Sequence, residues 1–347
     1  MKILITGNLG YVGSVLTRKL RGVYPDAELV GYDSGFFAGN LTGTLTAPEI
    51  LLDHQIYGDV RNFPADLLSG VDTVVQLAAI SNDPIGNKFE EVTFQVNHQA
   101  VVDIAKKAKD QGVRRVVFAS SCSVYGIAEE AARSEQSDVN PLTAYAKSKV
   151  HSENDLKALA DDSFMVTCLR FATACGMSDR LRLDLVLNDF VAGAYTSEEI
   201  TILSDGSPWR PLINVNDMAR AIIWGHEREP AHGGNYLVIN TGSNKWNYQI
   251  KELAYSINRI LPHVSVSINK DAQPDKRSYK VDFGLFEKVA PSHQPEHNLE
   301  TTIRDLVEGL KKMGFRDKNF RESALIRLQV INRLLDENVI SGDLYIR

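Results

Sequence analysis

The sequence predicts an α/β chain, a doubly wound parallel sheet with a smaller α/β second lobe. Three observations carry this. Short apolar runs alternate with helix-period stretches over roughly the first 170 residues. A glycine-rich loop follows the first run directly. After Arg170 the alternation gives way to glycines, prolines and isolated apolar runs.

The first run covers residues 2–6 and the second 29–33, both short and β-rich. Residues 72–78, 114–120 and 164–170 follow the same form, and 237–241 is a further candidate. Runs apolar on both faces suit central parallel strands. Between them, Asn97, Ala100, Val101, Ile104, Ala105 and Ala108 recur on one face of a helix. Residues 1–170 therefore form the expected sheet domain, with segments near 211–226 and 237–242 returning to it. Residues 171–347 form mainly the second lobe, ending in a helical tail from about residue 317. Within that tail, 321–338 reads as a charged amphipathic helix. Its Leu325, Leu328, Ile331, Leu334 and Leu335 lie roughly on one face. It either packs on its own chain or forms an oligomer contact.

The 347 residues carry 38 basic and 44 acidic side chains, a formal net charge of −6. Hydrophobic residues make up 44% and charged residues 24%, which excludes disordered, collagenous and disulfide-scaffold classes. Mild acidity argues against a nucleic-acid footprint, which needs a clustered basic surface. No apolar run is long enough to span a membrane, and residues 1–6 do not read as a signal peptide. Cys122, Cys168 and Cys175 form neither a metal spacing nor an even disulfide set. They read as reduced thiols of a cytoplasmic protein. The scattered histidines form no cluster, so no metal site is expected.

The loop Gly7-Asn8-Leu9-Gly10-Tyr11-Val12-Gly13 opens a helix. Glycines there permit a tight turn and let backbone N–H groups approach a pyrophosphate, aided by the positive helix end. Asp33 closes the second run, twenty residues after Gly13. A carboxylate there accepts from adenosine ribose hydroxyls and repels a 2′-phosphate, favouring NAD over NADP. The alternative is that Asp33 only starts a turn with Ser34-Gly35.

Tyr145 and Lys149 stand at i, i+4, one turn apart on one helix face. A phenol titrates near ~10 in water, too high for a base at neutral pH. A neighbouring ammonium stabilises the phenolate and lowers that value. Tyr145 can then take a proton from a hydroxyl, with Lys149 as its charged neighbour. Just upstream, Ser120-Ser121-Cys122-Ser123-Val124-Tyr125-Gly126 ends a predicted strand.

With its Gly-x-x-Gly-x-x-Gly spacing and these segments in order, the chain resembles the extended short-chain dehydrogenase/reductases. Within them it is similar to the NAD-dependent nucleotide-sugar epimerase/dehydratase family. The resemblance runs to about residue 315 and implies a Rossmann-like cofactor domain. It places Asp59 and Val60 at the adenine. It puts Leu77, Ala78 and Ala79 behind the cofactor, with Asn97 steadying that loop. Ala119 and Phe171 complete the cofactor set. Ser121 becomes the third catalytic member, hydrogen-bonding the reacting oxygen, and Tyr125 a candidate pocket residue.

Arg210 and Arg277 match positions that contact the sugar nucleotide, where a planar fork suits phosphate; either could instead serve a surface ion pair. Thr173 stands where the family often has a substrate-touching Asn. Related 4,6-dehydratases carry Asp-Glu after the catalytic hydroxyl. Here those positions are Cys122 and Ser123, which disfavours dehydration. Cys122 is either a second proton-transfer group or a small buried filler. Arg182 and Asn188 are the strongest anchors in their stretch of the second lobe. Ser81 and Asn82 either face the sugar or make a plain turn. The expected reaction is epimerisation of a nucleoside-diphosphate sugar through a transient keto-sugar, most simply at C4. A one-way dehydrogenase or ketoreductase shares every one of these residues. Relatives often pair as homodimers through the helices near 97–109 and 143–160.

Overall fold

The computed structural model describes residues 1–43, 46–81, 83–127, 131–269 and 278–347. Seven strands form one parallel sheet: β1 (Lys2–Thr6), β2 (Glu28–Asp33), β3 (His54–Tyr57), β4 (Thr73–Gln76), β5 (Arg115–Ser121), β6 (Met165–Phe171) and β10 (Tyr236–Thr241). Their spatial order is β10-β6-β5-β4-β1-β2-β3. The chain reverses direction across the sheet at β1, between β2 and β4, the switch point where open α/β sheets bind ligands at their carboxyl ends.

Each expected run forms a strand, with ends shifted by one or two residues. The edge strand β3 was not anticipated. Its four residues are exposed or half-buried, so they carry no apolar run to read. By contrast every residue of central β6 is buried. The expected helix face is buried too, Asn97 and Ala105 completely. That helix runs Ala100–Asp110 and is preceded by a π turn over Gln95–Gln99. The widened turn presents the Asn97 side chain to Ile80.

Past β6 the chain builds two smaller sheets. β7 (Thr173–Cys175) pairs parallel with β9 (Trp209–Asn214), and β9 pairs antiparallel with β11 (Asn247–Gln249). β8 (Glu199–Ile202) pairs parallel with β12 (Ser265–Ile268). The Val215–Glu227 helix packs back on the main sheet and on the Tyr11–Val23 helix.

The tail helix is shorter than expected, Arg327–Asp336. It packs on its own chain. Ile331, Ile340 and Leu344 share a small apolar cluster with Val92, Phe36 and Phe37.

One buried ion pair ties the helix Ala144–Lys157, which bears Tyr145 and Lys149, to the sheet. Glu153 accepts from Arg170 Nε at 3.0 Å and Nη2 at 2.7 Å, and from Ser120 Oγ. Removing one member leaves the other charge buried and unpaired, which costs about 3–5 kcal/mol. Glu153→Ala is therefore expected to lower unfolding free energy by about that amount in urea titration. Glu153→Gln should lose less, since it keeps an acceptor oxygen.

Candidate active site

The glycine loop packs against the chain on two sides. Gly7 sits at φ +78°, and a Cβ there would stand 2.5 Å from the backbone nitrogen of Ala78. A Cβ on Gly13 would meet the Gly7 carbonyl oxygen at 2.5 Å. The space these residues leave open is a cradle only glycine keeps. At its rim Asp33 accepts from Leu9 N at 3.0 Å and from Gly35 N at 2.8 Å. Asp33 thus starts the turn and also lines the cavity. Burial pushes its carboxyl up, opposed by these N–H groups and by Arg180 and Arg327.

A cavity of about 930 Å³ runs from this cradle into the second lobe. Gly7, Gly10, Tyr11, Val12, Gly13 and Asp33 line its first part. Asp59, Val60, Leu77, Ala78, Ala79, Ala119 and Phe171 continue the lining. Leu9 is buried and reaches the site only through its N–H to Asp33. Asn97 also acts from behind. Its amide accepts from Ile80 N at 2.8 Å and donates to Ile80 O at 2.9 Å, fixing the loop after β4.

The catalytic helix runs Ala144–Lys157, capped by Thr143 Oγ1 accepting from Ala146 N. Tyr145 lies in its first turn and Lys149 one turn on, both on the cavity. Lys149 Nζ is 5.5 Å from the Tyr145 ring centroid and donates to Ala119 O at 2.7 Å. Burial brings the Lys149 ammonium down to about 7. Ser121 closes β5 on the same cavity. Its Oγ accepts from Ser123 N at 3.1 Å, so its own hydroxyl proton is available to a substrate oxygen. Ser123 also lines the cavity, and its Oγ is buried with no partner among the described residues.

Other expected residues divide. Ser81 and Arg182 come together from distant segments, Arg182 Nη1 donating to Ser81 Oγ at 2.9 Å. The same guanidinium forks onto Asp184 at 3.0 and 2.7 Å. Thr173 and Arg210 line the cavity as well, with Arg210 5.8 Å over the Tyr279 ring.

Three expectations fail. Cys122 is 1% exposed, and its thiol donates to Arg170 O instead of facing the cavity. Burial pushes that thiol up, so it is a core residue rather than a substrate contact. Asn188 is fully buried; it accepts from Gly176 N and donates to Arg182 O. It holds the loop carrying Arg182 and lines nothing. Tyr125 is likewise in the core, its hydroxyl donating to Asn240 Oδ1 at 2.7 Å. Asn82 and Arg277 lie outside the described residues. Among the described residues no group of His, Cys, Asp and Glu could hold a metal, and no helix is long and apolar enough to cross a membrane.

Residues 3–241 match the model of the NAD dependent epimerase/dehydratase family. The chain belongs to this family. A UDP-glucose 4-epimerase of Corynebacterium glutamicum is 24% identical, with 93% of this chain and 100% of that protein covered. An uncharacterized UDP-glucose epimerase, YtcB of Bacillus subtilis, is 29% identical over 64% of this chain and 71% of its own. Among solved structures, MoeE5 in complex with UDP-glucose and NAD superposes with TM-score 0.76 at 24% identity. That match covers 90% of this chain and 99% of the other. A UDP-glucose-4-epimerase of Stenotrophomonas maltophila gives TM-score 0.77 at 22% identity, covering 90% and 99%. At such identity the structural likeness shows the shared fold.

Sequence reasoning missed cavity residues from the tail. Arg327, Ile331 and Leu344 line the cofactor end, with Phe36 and Phe37 from the loop after β2. The apolar face of the tail helix was a signal that it packs, but carried no hint of where.

A buried ammonium with no carboxylate partner costs stability until something binds. With its folded value near 7, Lys149 carries its charge at lower pH in both the folded and unfolded chain. The penalty is therefore full below about pH 7. It shrinks as pH rises toward the ordinary lysine value, because there the unfolded chain holds the extra proton. Lys149→Met is expected to raise the thermal midpoint of the cofactor-free protein, most below pH 7 and little at pH 10. Differential scanning fluorimetry across that range reads it.

Proposed function

We propose that the protein is an NAD-dependent epimerase acting on a nucleoside-diphosphate sugar, with C4 as the reacting carbon. The convergence of Ser121, Tyr145 and Lys149 on the cavity that begins at the glycine cradle supports a carbinol–carbonyl interconversion. The observation that carries epimerisation over dehydration is at positions 122 and 123. Eliminating water needs an acid/base group facing the sugar there. Cys122 is turned into the core and Ser123 is a hydroxyl.

The cradle, Asp33 and the Asp59-Val60 pair are the residues that would hold NAD. When bound, its nicotinamide accepts and returns the hydrogen of the reacting carbon with both electrons. Tyr145 takes the hydroxyl proton as the carbonyl forms and gives it back on return. Ser121 donates its hydroxyl proton in a hydrogen bond to the same oxygen, because Ser123 N already occupies one lone pair of Oγ. Lys149, held by Ala119 O, supplies positive charge below the phenol. Arg210, on the cavity wall, is the residue that would meet the diphosphate. Arg182 and Ser81, bonded to each other, form one polar unit at the cavity wall.

The test is NMR of reactions containing the purified protein, NAD and UDP-, GDP-, TDP- or CDP-sugars. A C4 epimer should appear with no net NADH. Stoichiometric NADH without epimer, or a product that has lost water, refutes the reading. Tyr145→Phe should lower turnover by about 10²–10⁴-fold while NAD affinity stays within about twofold.

A further inference from the structure

The tail beyond the family match places its charged and apolar groups over the cofactor end of the cavity. Three arginines gather there. Arg180 is fully buried and forks onto Glu49, at 2.8 and 3.2 Å. Arg182 forks onto Asp184. Arg327 is 3% exposed and has no such partner among the described residues. Its Nη2 donates to Arg180 O at 2.8 Å, and its Nη1 is buried without any hydrogen bond. The guanidinium lies 4.6 Å over the ring of Phe37, in the loop that follows Asp33. Burial lowers it to about 9, so it remains charged at neutral pH. The carboxylates of Asp184 and Asp33 act on it without a hydrogen bond to Nη1, so that buried donor is left for a further acceptor.

Farther along, the chain folds back over the adenine pair. Arg61, next to Val60, donates to the carbonyls of Asp343 at 2.7 Å and Leu344 at 3.1 Å. Its guanidinium stacks 3.5 Å from the centroid of the Tyr345 ring. Leu344 is buried against Phe36, Phe37 and Val92, and it lines the cavity.

We propose that this tail is a clasp on the dinucleotide. Arg327 gives its unpartnered Nη1 to a phosphate oxygen of the adenosine half, and Leu344 closes the adenine end, backed by Tyr345 through its stack on Arg61. The sugar nucleotide also carries a diphosphate. The position of Arg327, on Phe37 beside Asp33, assigns it to the cofactor. The proposal depends on NAD binding and not on which reaction follows.

Calorimetry on the full chain separates the sources, with NAD, ADP-ribose and UDP as probes. Arg327→Met is expected to weaken NAD and ADP-ribose at least about tenfold, with UDP unchanged and the cofactor-free thermal midpoint not lowered. Arg327→Lys should recover part of the loss, having charge without the fork. Tyr345→Ala, at the half-exposed end of the clasp, should speed NAD dissociation severalfold in stopped-flow fluorescence. Unchanged NAD affinity in a folded Arg327→Met protein overturns the assignment. So does a loss confined to UDP, or an unchanged NAD dissociation rate in Tyr345→Ala.

Discussion

The site depends on how closely the chain passes itself above β1. Gly7 leaves no room for a single carbon between the glycine loop and the backbone of Ala78. That contact sets the floor of the cradle and places the loops after β1 and β4 side by side. The loop after β4 is held in turn by Asn97, whose amide bonds both backbone groups of Ile80. Ser152 then ties the catalytic helix to the carbonyl of Asn97. Tyr145 is thus positioned by a relay of backbone-directed hydrogen bonds that starts at a glycine. An added methyl group at Gly7 would displace elements well beyond its own turn.

Stability is spent in the same region. Among the described residues, the buried Lys149 ammonium hydrogen-bonds a carbonyl and no carboxylate, and the buried Arg327 Nη1 and Ser123 Oγ have no hydrogen-bond partner. Elsewhere the interior satisfies its charges, as the Glu153–Arg170 and Arg180–Glu49 pairs show. Lys149, Ser123 and Arg327 line one cavity, and each has a polarity that a dinucleotide or a sugar hydroxyl completes. The cofactor-free protein is therefore expected to gain more from its ligand than area alone would give.

What was legible in the sequence is what local physics dictates. Short runs apolar on both faces can only be inner strands, so β1, β2, β4, β5 and β6 were readable, whereas β3, half-exposed at the edge, was not. Gly7, Gly13 and Asp33 were readable because they stand within one contiguous strand–helix–strand unit. Asn97 was readable only through the family's order of motifs. Cys122 and Tyr125, three residues apart in a tight 3₁₀ turn, share its core-facing side, whereas Ser121 and Ser123 line the cavity. No spacing rule assigns that from the sequence. Contacts such as Arg182 with Ser81, or Arg61 with Tyr345, join segments separated by the whole fold.

The tail connects this architecture to the chemistry. An epimerase must return to the sugar the hydrogen it removed, so reduced cofactor cannot leave before the second half of the reaction. A cradle of glycines and one ribose-facing acid binds through a handful of hydrogen bonds and lies open at its adenine end. Residues past the family match cover that end and bring a guanidinium with an open donor. Tyr145 and Lys149 come from a different element than the tail and line the same cavity, so a tail that covered the adenosine half would leave the nicotinamide half to them. Retention and turnover are then set by different parts of the chain, the first by a peripheral segment and the second by the catalytic helix.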